Sequence, residues 1–182
     1  MSERARRWGS IALIVGGLVW TVSWFMSGLR DDAVLGLEEG RWRALLNPAL
    51  VLLALGVWVF YVRLGSSAAG LGLLATAIVE LGLAGMLVGN VLEFGLLGDG
   101  FADAGTGIFV PAALATVVGL LLLGVAIVRT GVVPRESSMP FAGGLAGFVA
   151  GAMWVPLFGL GWLLWGYVLL ASPPVVPPRP EP

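Results

Sequence analysis

Residues 69–92 read AGLGLLATAIVELGLAGMLVGNVL, twenty-four residues with one ionisable side chain, Glu80, and no proline. A bilayer hydrocarbon core about 30 Å thick is crossed by roughly 20 apolar residues of helix. A helix of this length on a soluble domain would carry a polar face, and this one has none. The stretch reads as a membrane span, which makes the remaining chain a search for others.

Three further charge-free runs are plain, at about 9–29, 44–62 and 107–128. The last apolar stretch, residues 140–171, would be about 48 Å long as a single helix. Pro156 interrupts it. Proline removes a hydrogen bond inside a helix but suits its first turn, so the stretch divides into spans at about 137–154 and 156–171. The expected fold is an all-α polytopic bundle of six spans, with five tilted or kinked spans as the alternative. Residues 1–172 form one transmembrane domain. Residues 173–182, PPVVPPRPEP, form an extended tail that cannot be helical.

Composition agrees. Of 182 residues, 58 % are hydrophobic and 12 % charged, against roughly 45–50 % and about 25 % in soluble domains. The chain has no Cys, no His and a net charge of −1, and its ten basic residues are all Arg. Thiol nucleophiles, His bases, haem ligation and Cys/His zinc sites are excluded, and no cofactor or metal is expected. Without a basic cluster, nucleic acid is not an expected partner. The lipid bilayer is one, with a second copy or another membrane protein as a further possibility.

Orientation follows from the arginines, because cytoplasmic loops retain basic residues. An inside amino terminus places Arg4, Arg6, Arg7, Arg63, Arg129, Arg135 and Arg179 on the cytoplasmic side, and only Arg30, Arg41 and Arg43 outside. The basic start followed by an apolar run also mimics a secretory signal. However, Trp24, Phe25 and Met26 stand where a small-residue cleavage site belongs, favouring an uncleaved span. Trp8, Trp24, Trp42, Trp58, Tyr61, Phe94, Trp154, Trp165 and Tyr167 fall near span ends, where interfacial aromatics collect; Trp20 and Trp162 lie deeper. Around Trp42, residues 35–43 read as a short surface helix or a solvated loop.

Two stretches share a pattern. Pro48 leads to Val62-Arg63-Leu64-Gly65, and Pro111 leads to Val128-Arg129-Thr130-Gly131, which suggests a pseudo-repeat of helical hairpins or a coincidence of a small alphabet. Bilayer helices associate through small residues and polar links. Gly143, Gly147 and Gly151 recur every fourth residue, with Gly85 and Gly89 a second pair; either serves bundle packing or a homodimer seam.

Glu80 is the one charge-capable group deep in a span, where a carboxylate is costly. Gly72, Thr76 and Glu80 are successive fourth residues on one small-residue ridge, so Glu80 is expected to face protein or a cavity as a neutral acid, hydrogen-bonded to Thr76, Thr116, Ser23 or a backbone carbonyl. It is a proton or cation site, or a polar tie that holds helix register. Asn90 and Glu93 share a face at the other end of the span and, with Asp99 and Asp103, line an acidic mouth or simply a solvated helix end. Asn47 reads as a helix-start residue. No catalytic residue is expected, since Glu80 lacks a nucleophile or metal cluster beside it.

Gly89-Asn90-Val91-Leu92-Glu93-Phe94, the Val-Arg-x-Gly helix ends and the closing Leu160-Gly161-Trp162-Leu163-Leu164-Trp165-Gly166-Tyr167 resemble a loose group of small uncharacterised multipass bacterial membrane proteins. The resemblance implies an all-helical bundle of about six spans and brings no activity; the bacterial inner membrane is the expected location. The expected role is accordingly structural, accessory or regulatory, with a small carrier for a proton, cation or amphiphile as the other reading.

Overall fold

The computed structural model describes residues 3–28, 39–64, 70–94, 102–130 and 155–171. Among these residues the chain forms helices and no strand: α1 (Glu3–Gly28), α2 (Glu39–Ala44), α3 (Leu46–Leu64), α4 (Leu71–Phe94), α5 (Ala102–Thr130) and α6 (Val155–Ala171). Four segments are long and apolar enough to cross a membrane, at Glu3–Met26, Trp42–Val62, Leu71–Phe94 and Asp103–Arg129, and α6 is a shorter apolar helix. The expected span at 137–154, with Gly143, Gly147 and Gly151, and the tail at 173–182 lie outside the described residues.

The outer surface is apolar along whole helices. Trp8, Ile11, Val15, Leu18, Val22 and Phe25 point outward from α1 at steps of three and four residues; Val51, Leu55, Trp58 and Val62 do so from α3, and Leu114, Val118, Leu121, Val125 and Val128 from α5. Soluble monomers rarely expose apolar patches beyond a few hundred Å². Stripes running the length of the helices are what acyl chains solvate.

Packing runs from α5 to α4, α4 to α3, α3 to α1 and α1 to α6, with the α4–α5 contact the most extensive. Backbones meet there because side chains are missing. A Cβ built on Gly82 would lie 2.7 Å from Thr116 N and 2.8 Å from Ala112 O, one on Gly89 2.7 Å from Phe109 N, and one on Gly119 2.8 Å from Val79 N. Residues rising along α4 meet residues falling along α5, so the pair is antiparallel. Gly82 and Gly89 are seven residues apart, as are Gly105, Ala112 and Gly119 on α5. A seven-residue repeat keeps one face in contact over several turns of shallowly crossing helices. The same period recurs on α6, where Cβ atoms at Gly159 and Gly166 would meet Gly17 O at 2.6 Å and Ser10 O at 2.7 Å on an antiparallel α1. The expected pair Gly85 and Gly89 both face α5, a Cβ on Gly85 lying 2.7 Å from Ala112 Cβ, and Gly82 extends that face by the seven-residue step; Gly72 is buried.

Helix ends differ from the expected spans in two ways. α1 begins at Glu3 and carries Arg4, Arg6 and Arg7 in its first turns. α5 begins at Ala102, takes in Asp103 and Thr106 from the expected acidic loop, and reaches about 43 Å. It is prolonged because Gly105 seats on α4, where a Cβ would come within 2.6 Å of Glu93 N. This places Pro111 well inside α5, whereas Pro48 falls in the first turn of α3. The two prolines do not mark equivalent helix starts. At the start of α4, Gly70 takes φ +82° and its carbonyl accepts the Leu74 N–H at 2.9 Å; L side chains seldom adopt that backbone.

The core between α1, α3 and α6 is aromatic. Trp20 packs edge-on against Phe158 at 5.4 Å, and Phe60 against Trp165 at 4.7 Å. Trp20 and Trp162 are buried among these helices. Trp165, expected in an interfacial belt, is fully buried, because its helix turns that face onto Phe60.

Candidate functional site

The densest polar contacts among the described residues gather where the C-terminal end of α1, the short α2, the start of α3 and the end of α4 meet. The last carbonyls of a helix lack an intrahelical donor, and at the end of the six-residue α2 Trp42 O accepts the Leu45 N–H at 3.2 Å. Further donors come from two other helices. Ser23 of α1 donates its hydroxyl to Trp42 O, and Asn90 of α4 donates Nδ2 to Arg43 O at 3.0 Å. The same amide donates to Asn47 Oδ1 of α3 at 2.8 Å. Ser23 is 0 % and Asn90 1 % exposed, so these bonds replace water that cannot reach them. Asn47 is thus an acceptor for a neighbouring helix in addition to standing in the first turn of its own.

Above this knot the Arg43 guanidinium lies 3.6 Å from the centroid of the Trp24 ring and 5.6 Å from that of Phe94. Stacking on an aromatic face suits the weakly hydrated, planar guanidinium. Trp24 and Phe94, expected as belt aromatics, are engaged with this cation, and Trp42 is buried. Of the segment expected as a short surface helix or a solvated loop, residues 39–44 are helical, but Trp42 turns inward instead of lying on the surface.

The residues singled out from sequence separate into three places. Thr76 and Glu80 lie on α4, where Thr76 is 1 % exposed and Glu80 half-buried. Thr76 Oγ1 and Glu80 Oε1 are both shielded from solvent without a hydrogen-bond partner. Their ridge does not stay on one contact: Gly72 and Thr76 are buried, Glu80 is intermediate and Ala84 exposed, because each four-residue step advances about 40° around the helix. Glu80 therefore stands at the rim of the buried face. The hydroxyls expected to reach it are directed elsewhere, Ser23 to Trp42 O and Thr116 to Ala112 O at 3.0 Å. Asn90 joins the α2 knot, while Glu93 lies against Gly105 of α5. Asp103 is exposed, and Asp99 lies outside the described residues.

Sequence reasoning missed Arg43, Ser23 and Asn47 as members of one cluster. Only the run of polar side chains within otherwise apolar helix ends hinted at them. Among the described residues no group of three or more His, Cys, Asp or Glu side chains is placed to hold a metal. The cluster's evident work is to cap one short helix with side chains of its neighbours and to stack a cation over the junction. No family model matches the chain, and no match was found among curated proteins or solved structures.

Proposed function

We propose that this is a multipass protein of the bacterial inner membrane with a structural, accessory or regulatory role, exercised through helix contacts with another membrane protein or a second copy. The observation that carries this reading is the use made of Asn90 and Ser23, buried polar side chains spent on carbonyl or amide partners in a different helix. In hydrocarbon such bonds hold helices in one arrangement, and the close glycine seams act in the same sense. Six crossings, with both ends on the cytoplasmic side, are supported by helix direction. α5 and α6 both run opposite to α1, the directions that a six-span arrangement requires. Arginine placement supports the inside amino terminus.

The carrier reading rests on one specific observation, the shielded and unpartnered Glu80 Oε1 and Thr76 Oγ1 one turn apart. Reconstitution into vesicles separates the two. Wild type is expected to pass neither protons nor monovalent cations above empty vesicles, and Glu80→Gln to change at most the thermal stability. Flux in wild type that Glu80→Gln abolishes would replace the structural reading with the carrier.

A further inference from the structure

Two lines of residues run along α4 at seven-residue steps and meet opposite fates. Thr76, Leu83 and Asn90 are each 1 % exposed, and the bonds of Asn90 mark this line as the one turned toward α2 and α3. Ala77 and Ala84 are exposed, with Leu81 beside them 73 % exposed. Glu80 lies between the lines, one turn from Thr76 and one from Ala84, where the packed face of α4 gives way to its open one. Two polar atoms at this boundary lack a partner. Among the described residues the buried polar side chains are Ser10, Ser23, Thr76, Asn90 and Thr116. Ser10 and Thr116 donate to the carbonyl four residues earlier, and Ser23 and Asn90 reach another helix. Thr76 Oγ1 does neither, and Glu80 Oε1, one turn on, is shielded from solvent and likewise unpartnered. In hydrocarbon a polar group is costly until it is hydrogen-bonded.

Small residues on either side of the carboxyl allow another helix to come close. The α4–α5 seam is built in that way, with Gly82 and Gly89 against Gly105, Ala112 and Gly119, and Ala77 and Ala84 repeat its seven-residue step on the open face. Two copies inserted in the same direction are related by a twofold axis along the membrane normal, so a residue beside the axis meets its own counterpart. A carboxylic acid has one O–H donor and one carbonyl acceptor, and is therefore complementary to itself: two of them exchange two hydrogen bonds. An unlike partner would have to supply a matching polar group, whereas a second copy supplies it by symmetry. The terminal torsion of a glutamate is broad, which lets the half-buried carboxyl turn both oxygens to that axis.

We propose that two copies of this chain associate through the open face of α4 at Ala77 and Ala84, with Glu80 of each paired to that of the other. This rests on the reading of the protein as a membrane component acting through helix contacts, and selects the second copy as its partner. The chain lacks cysteine, so single cysteines report the contact. In liposomes holding the full-length protein and oxidised with copper phenanthroline, Ala77→Cys and Ala84→Cys are expected to form disulfide-linked dimers. Val118→Cys, at a 50 % exposed position of α5, is not. Adding Glu80→Leu to Ala84→Cys is expected to lower the cross-linked fraction about tenfold, through loss of two interhelical hydrogen bonds. Adding Glu80→Gln, whose amide also pairs with itself, retains most of it. Single-molecule photobleaching of protein labelled at Ser2→Cys leaves the seam unaltered, and is expected to show two steps; with Ala84→Trp, whose bulk holds the copies apart at an exposed position, it shows one. A single step without Ala84→Trp overturns the proposal, as does cross-linking of Val118→Cys equal to that of Ala84→Cys, or a loss in Glu80→Gln as large as in Glu80→Leu. Absence of cross-links at both alanines means that lipid, the rest of the chain or another protein covers this face, and overturns it too. All of these leave the underlying reading in place, which fails instead on ion flux that Glu80→Gln abolishes.

Discussion

Asn90 shows how far a single residue can be read. Its position in an apolar span marks it as a polar link, since an amide in hydrocarbon must find partners. Its grouping with Glu93 was also legible, because three residues make neighbours on one helix. The actual partners were not. Three residues also separate side chains by about 60° around the axis, enough for Asn90 to reach α2 and α3 while Glu93 lies against α5. Asn90→Ala would orphan both Arg43 O and Asn47 Oδ1, and is expected to lower unfolding free energy by about 1–2 kcal/mol. Asn47→Ala, which leaves the bond to Arg43 O intact, is expected to cost less. Denaturant titration of the two variants in detergent micelles checks the order. An equal cost would mean that Arg43 O gains little from the amide.

At the level of elements, α4 and α5 carry the clearest packing rule. Sequence displays glycines at many spacings, and the eye selects every fourth residue as at Gly85 and Gly89. The structure places that pair against α5 and adds Gly82 seven residues before Gly89, because antiparallel helices that cross at a shallow angle bring the same face back after two turns. Gly82→Ala would drive a methyl into the backbone of Thr116 and Ala112, and is expected to destabilise the bundle by about 1–3 kcal/mol. Gly107 and Gly124 sit on the same helix pair with nothing within 4 Å of a built Cβ. Gly107→Ala and Gly124→Ala are therefore expected to be neutral, or to stabilise by up to about 1 kcal/mol through helix propensity. Thermal melts of the three variants test the contrast, and an equal loss in all would remove the seam as its cause.

For the whole molecule, the directions of the helices make a prediction that no single helix contains. α6 packs antiparallel on α1, so the start of α1 and the end of α6 lie at the same end of the bundle, as six spans require. The chain has no cysteine, which permits single labels without background. Ser2→Cys and Glu181→Cys are expected to react with an impermeant maleimide from the same face of sealed vesicles. Labelling from opposite faces would exclude six spans and favour five.

The sequence by itself determined that this protein is helical, that four of its helices are long and apolar enough to cross a bilayer, and that it carries no Cys or His side chain. Those properties are local: a charge-free run about 20 residues long has few alternatives to a spanning helix, whichever helices surround it. Tertiary structure decided what each polar or small residue does. It turned Trp165 into the core, took Trp24 and Phe94 for Arg43, gave the carbonyls of α2 to Ser23 and Asn90, and set Glu80 at a rim. Between helices in lipid the driving forces are close packing and pairwise bonds, which depend on the neighbour's identity and direction, and neither is written in the helix that uses them.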